Sequence, residues 1–84
     1  VQYHLGPLKF EEMQEYIEFR LKTAGRNDPL FTQSALEEVY RFSGGVPRKI
    51  NNLIASALLE GFSRDAGLID GDVIVDVARD FGLI

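Results

Sequence analysis

The 84-residue sequence predicts an all-α fold, a small four-helix bundle behind a short extended N-terminal segment, and three observations lead there. Apolar residues recur every three or four positions in four separate stretches, the spacing of one helix face. Gly25, the Gly44-Gly45 pair, Pro47 and Gly67 fall at the joints between those stretches, where helices stop and start. A 9.4 kDa chain has room for one core only, because a domain this small buries only about two thirds of the surface its unfolded form exposes.

The first helix is predicted from about Lys9 to Ala24, with Phe10, Met13, Ile17, Leu21 and Ala24 on one face. Glu11, Glu12 and Glu15 near its start and Arg20 and Lys22 near its end match the helix dipole, and Gly25 stands where a left-handed cap is wanted. Glu18 and Lys22 have the spacing of an ion pair. Asp28-Pro29 marks a turn. Thr32 is the expected N-cap of the second helix, with Phe31 and Leu36 as a hydrophobic staple and Ala35, Leu36, Val39 and Phe42 facing inward. Gly44 and Gly45 end it, and Pro47 suits the first position of the third helix, where a missing N–H loses nothing. From Pro47 to about Ser63, Ile50, Leu53, Ile54, Ala57, Leu58 and Gly61 form an apolar stripe, which makes this the central buried helix. Asp70 is the N-cap expected for the last helix, with Val73, Val77 and Phe81 on one side.

Residues 1–7 read differently. Val1, Tyr3 and Leu5 alternate with Gln2 and His4, a period of two that Gly6-Pro7 breaks. This is either a linker or the last strand of a sheet belonging to a missing neighbour, and residues 8–84 make the helical domain.

Composition narrows the function classes. With 45% hydrophobic and 26% charged residues the chain is globular rather than disordered. No cysteine and one histidine exclude disulfides and thiolate metal sites and point to a reducing compartment. No apolar run approaches the ~20 residues of a membrane span. Nine Lys and Arg against 13 Asp and Glu give a net charge of −4, so nucleic acid would need a local basic patch.

One segment departs from ordinary helix construction: Ser43-Gly44-Gly45-Val46-Pro47-Arg48-Lys49-Ile50-Asn51-Asn52. Arg48 and Lys49 fall in the first turn of the third helix, where the dipole disfavours each cation by roughly 0.3 to 1 kcal/mol. No Ser, Thr, Asp or Asn directly precedes Pro47, so the free N–H groups of that turn could serve a phosphate. Two solvated cations on a surface turn remain the plain alternative. His4 reads as a strand-end surface residue, Asp70, Asp72 and Asp76 as a capped first turn rather than a cation cluster, and Glu11, Glu12, Glu15 and Glu18 as a solvated face. Phe19 and Leu59 lie opposite their helices' apolar stripes; single exposed apolar residues are normal, and clustered ones would mark an interface.

The order Leu5-Gly6-Pro7-Leu8, Tyr16-Ile17, Arg20-Leu21, Ala24-Gly25, Phe31-Thr32, Ala35, then Ser43 to Leu53 and Ala57-Leu58 resembles the C-terminal lid of AAA+ ATPases. Within these it is most similar to the general secretion pathway protein A group of bacterial secretion ATPases, with transposition ATPases close behind. The Gly-x-Pro-Arg-x-Ile-Asn core carries most of the specificity. The resemblance implies that Arg48 is the sensor 2 arginine facing the ATP phosphates, with Gly45, Pro47, Arg48 and Asn51 at the nucleotide. Gly44 and Gly45 would then permit close approach, Pro47 would set the helix start, and Asn51 would bond near the hinge or the nucleotide edge. It further implies a P-loop ATPase core in the same parent chain, ATP and Mg in that parent, a homo-oligomer, secretion or transposition machinery as partner, and a cytoplasmic setting, with membrane association of the parent left open. Lys9 stands where a small polar cap would be expected.

No Gly-x-x-x-x-Gly-Lys-Ser/Thr loop is present, so these residues alone are not expected to hydrolyse ATP. The competing function is a stand-alone helical interaction or DNA-binding module that reads DNA through the basic end of the third helix. The acidic balance and the lack of a basic recognition face weigh against nucleic acid.

Overall fold

The computed structural model describes residues 6–23, 25, 30–63 and 67–83. The expected strand Val1 to Leu5 with His4, the helix end at Ala24, and the Asp28-Pro29 turn lie outside the described residues. The rest follows the predicted order: α1 (Phe10–Thr23), α2 (Gln33–Ser43), α3 (Pro47–Ser63) and α4 (Gly71–Asp80). The fold is all-α, and among the described residues no helix is long and apolar enough to cross a membrane.

The helix ends have identifiable causes. Lys9 carries no side-chain cap, yet its carbonyl accepts the Met13 N–H at 2.8 Å and its N–H donates to Glu12 Oε1 at 2.8 Å. Glu12 thus supplies the returning half of a capping box, which corrects its reading as one of a row of solvated carboxylates. At the other end Gly25 takes φ +83° and donates to the Lys22 carbonyl at 3.0 Å, the left-handed stop its position requires. Thr32 Oγ1 accepts the Ala35 N–H at 3.2 Å, and Asp70 Oδ1 accepts that of Val73 at 3.2 Å, so both expected N-caps are present. Glu18 and Lys22, both exposed, form no ion pair. Described ion pairs within helices join Glu38 to Arg41 at 3.2 Å and Asp76 to Arg79 at 3.4 Å, one residue closer in spacing and of small energetic weight in water.

The core draws on every helix: Met13 and Ile17 from α1, Ala35 and Val39 from α2, Ile50, Leu53, Ile54 and Ala57 from α3, and Val73, Ile74, Val77 and Ala78 from α4 are buried. The stripe read along α3 is its inner face, with Leu58 partly buried at the edge. Phe81 departs from expectation. It is 47% exposed because it lies beyond the last turn of α4 as the C-cap residue, and Ile74 and Ala78 occupy the inner face instead.

A non-local lock aligns α2 and α4. Phe31 and Ile69 form a parallel β-bridge: Thr32 donates to the Ile69 carbonyl at 2.9 Å and Ile69 to that of Leu30 at 2.7 Å. Ser34 Oγ then accepts the Gly71 N–H at 3.1 Å. A Cβ on Gly71 would stand 3.3 Å from both the Ser34 carbonyl and its hydroxyl, so glycine lets the two helix starts lie side by side. α1 is tied to this unit by Phe10, whose ring meets Tyr40 edge-on at 5.6 Å, and by Tyr16, whose hydroxyl donates to Asn51 Oδ1 at 2.9 Å.

Candidate functional site

The turn between α2 and α3 is built by consecutive glycines. Gly44 (φ +62°) caps α2, its N–H on the Tyr40 carbonyl at 2.8 Å, and Gly45 (φ +83°) extends the left-handed path. Side chains bearing a Cβ rarely take either conformation. Ser43 pins the turn from inside: only 2% exposed, its hydroxyl accepts the Gly45 N–H at 3.1 Å while its carbonyl accepts that of Val46 at 3.1 Å. Satisfying a buried hydroxyl in this way avoids the desolvation penalty of an orphaned polar group. The Val46 carbonyl accepts from Ile50 at 2.9 Å, which makes Val46 the N-cap and Pro47 the first helical residue, as its fixed φ favours.

Arg48 and Lys49 follow, both exposed. Among the described residues Arg48 makes no ion pair and no side-chain hydrogen bond, and the backbone N–H groups of Arg48 and Lys49 have no hydrogen-bond partner. The start of α3 therefore presents two free donors, the positive end of a helix dipole and two cations, a set whose chemistry suits an anion. Among the described residues no three carboxylate, imidazole or thiol groups come together as metal ligands.

Asn51 lies one turn beyond Arg48. Its Oδ1 is held by Tyr16, and with Arg20, Leu21, Ile54, Ala55 and Leu58 it lines a shallow groove between α1 and α3. Gly45 is placed differently from a residue open to a ligand. It is buried, and the backbone that approaches it belongs to this chain: Leu8 donates its N–H to the Gly45 carbonyl at 2.8 Å, and a Cβ on Gly45 would overlap the Leu8 carbonyl oxygen. Pro47, Arg48 and Asn51 thus share one helix, with Gly45 beneath its start.

Three participants are absent from the sequence-based set: Leu8, Ser43 and Tyr16. Leu8 is 1% exposed but is a single apolar residue between Gly6-Pro7 and Lys9, which gives no periodic signal. Ser43 next to a double glycine was the available clue to a side chain folded back onto the turn. Phe19 and Leu59 are 64% and 72% exposed. Leu59 lines a second shallow groove with Ser56, Glu60, Val77, Asp80 and Phe81, and Phe19 takes no part in it.

Comparison with known proteins agrees with the resemblance carried by the Gly-x-Pro-Arg-x-Ile-Asn stretch. No family model matches the chain and no solved structure matches it. It is, however, 41% identical over 73 residues to General secretion pathway protein A of Aeromonas hydrophila, an alignment that takes in 86% of this chain and 13% of that protein. This small helical domain is thus a relative of one segment of General secretion pathway protein A.

Proposed function

We propose that the chain is the helical lid of a secretion-type AAA+ ATPase, and that Arg48 is its sensor 2 arginine. In this reading a P-loop core in the same parent chain binds ATP and Mg, and lid closure brings the start of α3 to the phosphates. Arg48 carries the proposal: an exposed guanidinium without an acidic partner among the described residues, at a helix start whose dipole already disfavours it. Among the described residues nothing offsets that charge, whereas beside an anion both the charge and the free N–H groups become favourable. The relative's name supports a secretion setting.

The roles divide by chemistry. Arg48 offers a planar fork to two oxygens of the terminal phosphate and offsets charge that builds there during transfer. Pro47 and Gly45 fix where that fork starts. Asn51, oriented by Tyr16, keeps its amide donors for an acceptor at the lid–core junction. Magnesium is assigned to the core.

Replacing Arg48 by Ala in the full-length parent tests this. Turnover should fall by about 10³-fold, the low end for arginines acting in phosphoryl transfer, with the circular dichroism of the helices unchanged. Arg48→Lys should recover only part of the loss, since a point charge lacks the fork. Wild-type turnover in Arg48→Ala removes the assignment.

A further inference from the structure

A residue 40 places before Arg48 packs against the turn that precedes it. Leu8 is buried and its N–H is bonded to the Gly45 carbonyl at 2.8 Å. The fit is mutual: a Cβ on Gly45 would overlap the Leu8 carbonyl oxygen and lie 3.0 Å from its nitrogen. The open side of the turn is Gly44, where an added Cβ meets nothing within 4 Å. From Gly45 the path to Arg48 is short and stiff, through Val46, bonded to Ser43, and Pro47, locked in φ. On the other side of Leu8, Gly6 and Pro7 are exposed and form the segment through which the chain enters the helices.

We infer that Leu8 is a positioning residue for Arg48, a latch through which the segment entering the helical domain fixes the turn that sets the arginine. A displacement of that segment pulls on the Gly45 carbonyl and so on the start of α3. Conversely, an Arg48 held by phosphate stabilises the turn and keeps Leu8 seated, since coupling between two sites is reciprocal. The latch rests on the assignment of Arg48 as the phosphate-sensing arginine and adds the means by which the entering segment acts on it.

The test is a kinetic cycle in the full-length parent using Gly45→Ala, Arg48→Ala and the double variant, with Gly44→Ala as control. Both glycine variants strain a left-handed residue, but only Gly45→Ala collides with Leu8. Gly45→Ala should lower kcat by about 10²-fold, the effect of an ångström-scale misplacement, and Gly44→Ala by far less. In the Arg48→Ala background, Gly45→Ala should change kcat less than about twofold, because residues acting through one group are not additive. If Gly44→Ala matches Gly45→Ala, or if Gly45→Ala retains its full effect without Arg48, the latch is refuted while the sensor assignment stands. An Arg48→Ala enzyme with wild-type turnover refutes both. Should Gly45→Ala fail to fold, amide exchange at Leu8 in the wild-type parent decides the matter. A non-hydrolysable ATP analogue should slow it by about tenfold relative to ADP, and this difference should vanish in Arg48→Ala. Equal exchange in the two nucleotide states overturns the latch.

Discussion

Adding one methyl group at either of two neighbouring glycines separates a turn that is merely tight from one clamped by a distant segment. Gly44→Ala places a Cβ in open space at φ +62°, so its penalty is the left-handed conformation alone, about 1 to 2 kcal/mol. Gly45→Ala, at φ +83°, meets that penalty and also displaces Leu8. Loss of the Leu8 to Gly45 bond adds about 1 kcal/mol. Release of a leucine that is 1% exposed adds up to about 2 kcal/mol. Gly45→Ala should therefore destabilise by about 4 kcal/mol, a large share of the ~5 to 15 kcal/mol that holds a domain together. For a chain of this length each kcal/mol lowers Tm by about 4 to 8 °C. Thermal unfolding followed by circular dichroism should place Gly45→Ala roughly 15 to 30 °C below wild type and Gly44→Ala within about 15 °C of it. Equal Tm values for the two variants would show that Leu8 does not clamp the turn.

Other substitutions probe the remaining joints. Ser34→Ala removes the acceptor of the Gly71 N–H and should lower stability by about 1 to 2 kcal/mol in urea titration; no change would mean that the hydroxyl does not align α2 with α4. Ile74→Ala opens a cavity at a residue with no exposure and should lower stability by about 2 to 5 kcal/mol, whereas Phe81→Ala, at an exposed cap, should stay within about 1 kcal/mol of wild type. Tyr16→Phe removes the donor to Asn51 and should reduce unfolding free energy by about 1 kcal/mol, with α-helical content retained.

The helices were legible in the sequence because their causes are local. Thr32 and Asp70 cap by side chains three residues from their targets, and Gly25 and Gly44 stop helices through their own φ. The α3 stripe from Ile50 to Gly61 faces inward, with Leu58 at its edge, because nothing but apolar or small residues stands at that spacing. What sequence order hides is long-range pairing. The Phe31–Ile69 bridge joins residues 38 positions apart through backbone groups, and backbone donors carry no residue signature. Phe81 fits the apolar spacing of α4, but the helix ends one residue earlier, at Asp80, and the ring falls outside the packed face.

At the candidate site the sequence marked the anomaly but not its anchoring. Two cations behind Pro47 are visible as letters, and the structure leaves Arg48 exposed, as the anomaly suggested. The resemblance implies that the glycine pair permits close approach at the nucleotide, and the backbone found against Gly45 is that of Leu8. The same property, absence of a Cβ, serves either purpose, so composition could not separate them. In the sequence Tyr16 stands out only as part of the pattern that carries the resemblance. Its hydroxyl becomes significant once the packing of α1 brings it to Asn51.

Nucleotide discrimination by the proposed parent ATPase bears most directly on Arg48. ATP and ADP affinities should be measured by titration calorimetry with wild type and Arg48→Ala. A guanidinium reading the terminal phosphate predicts that the variant binds ATP about tenfold or more weakly, the loss of one charge-assisted contact, while ADP affinity stays unchanged. If both affinities stay at wild-type values, or fall by the same factor, Arg48 does not sense that phosphate.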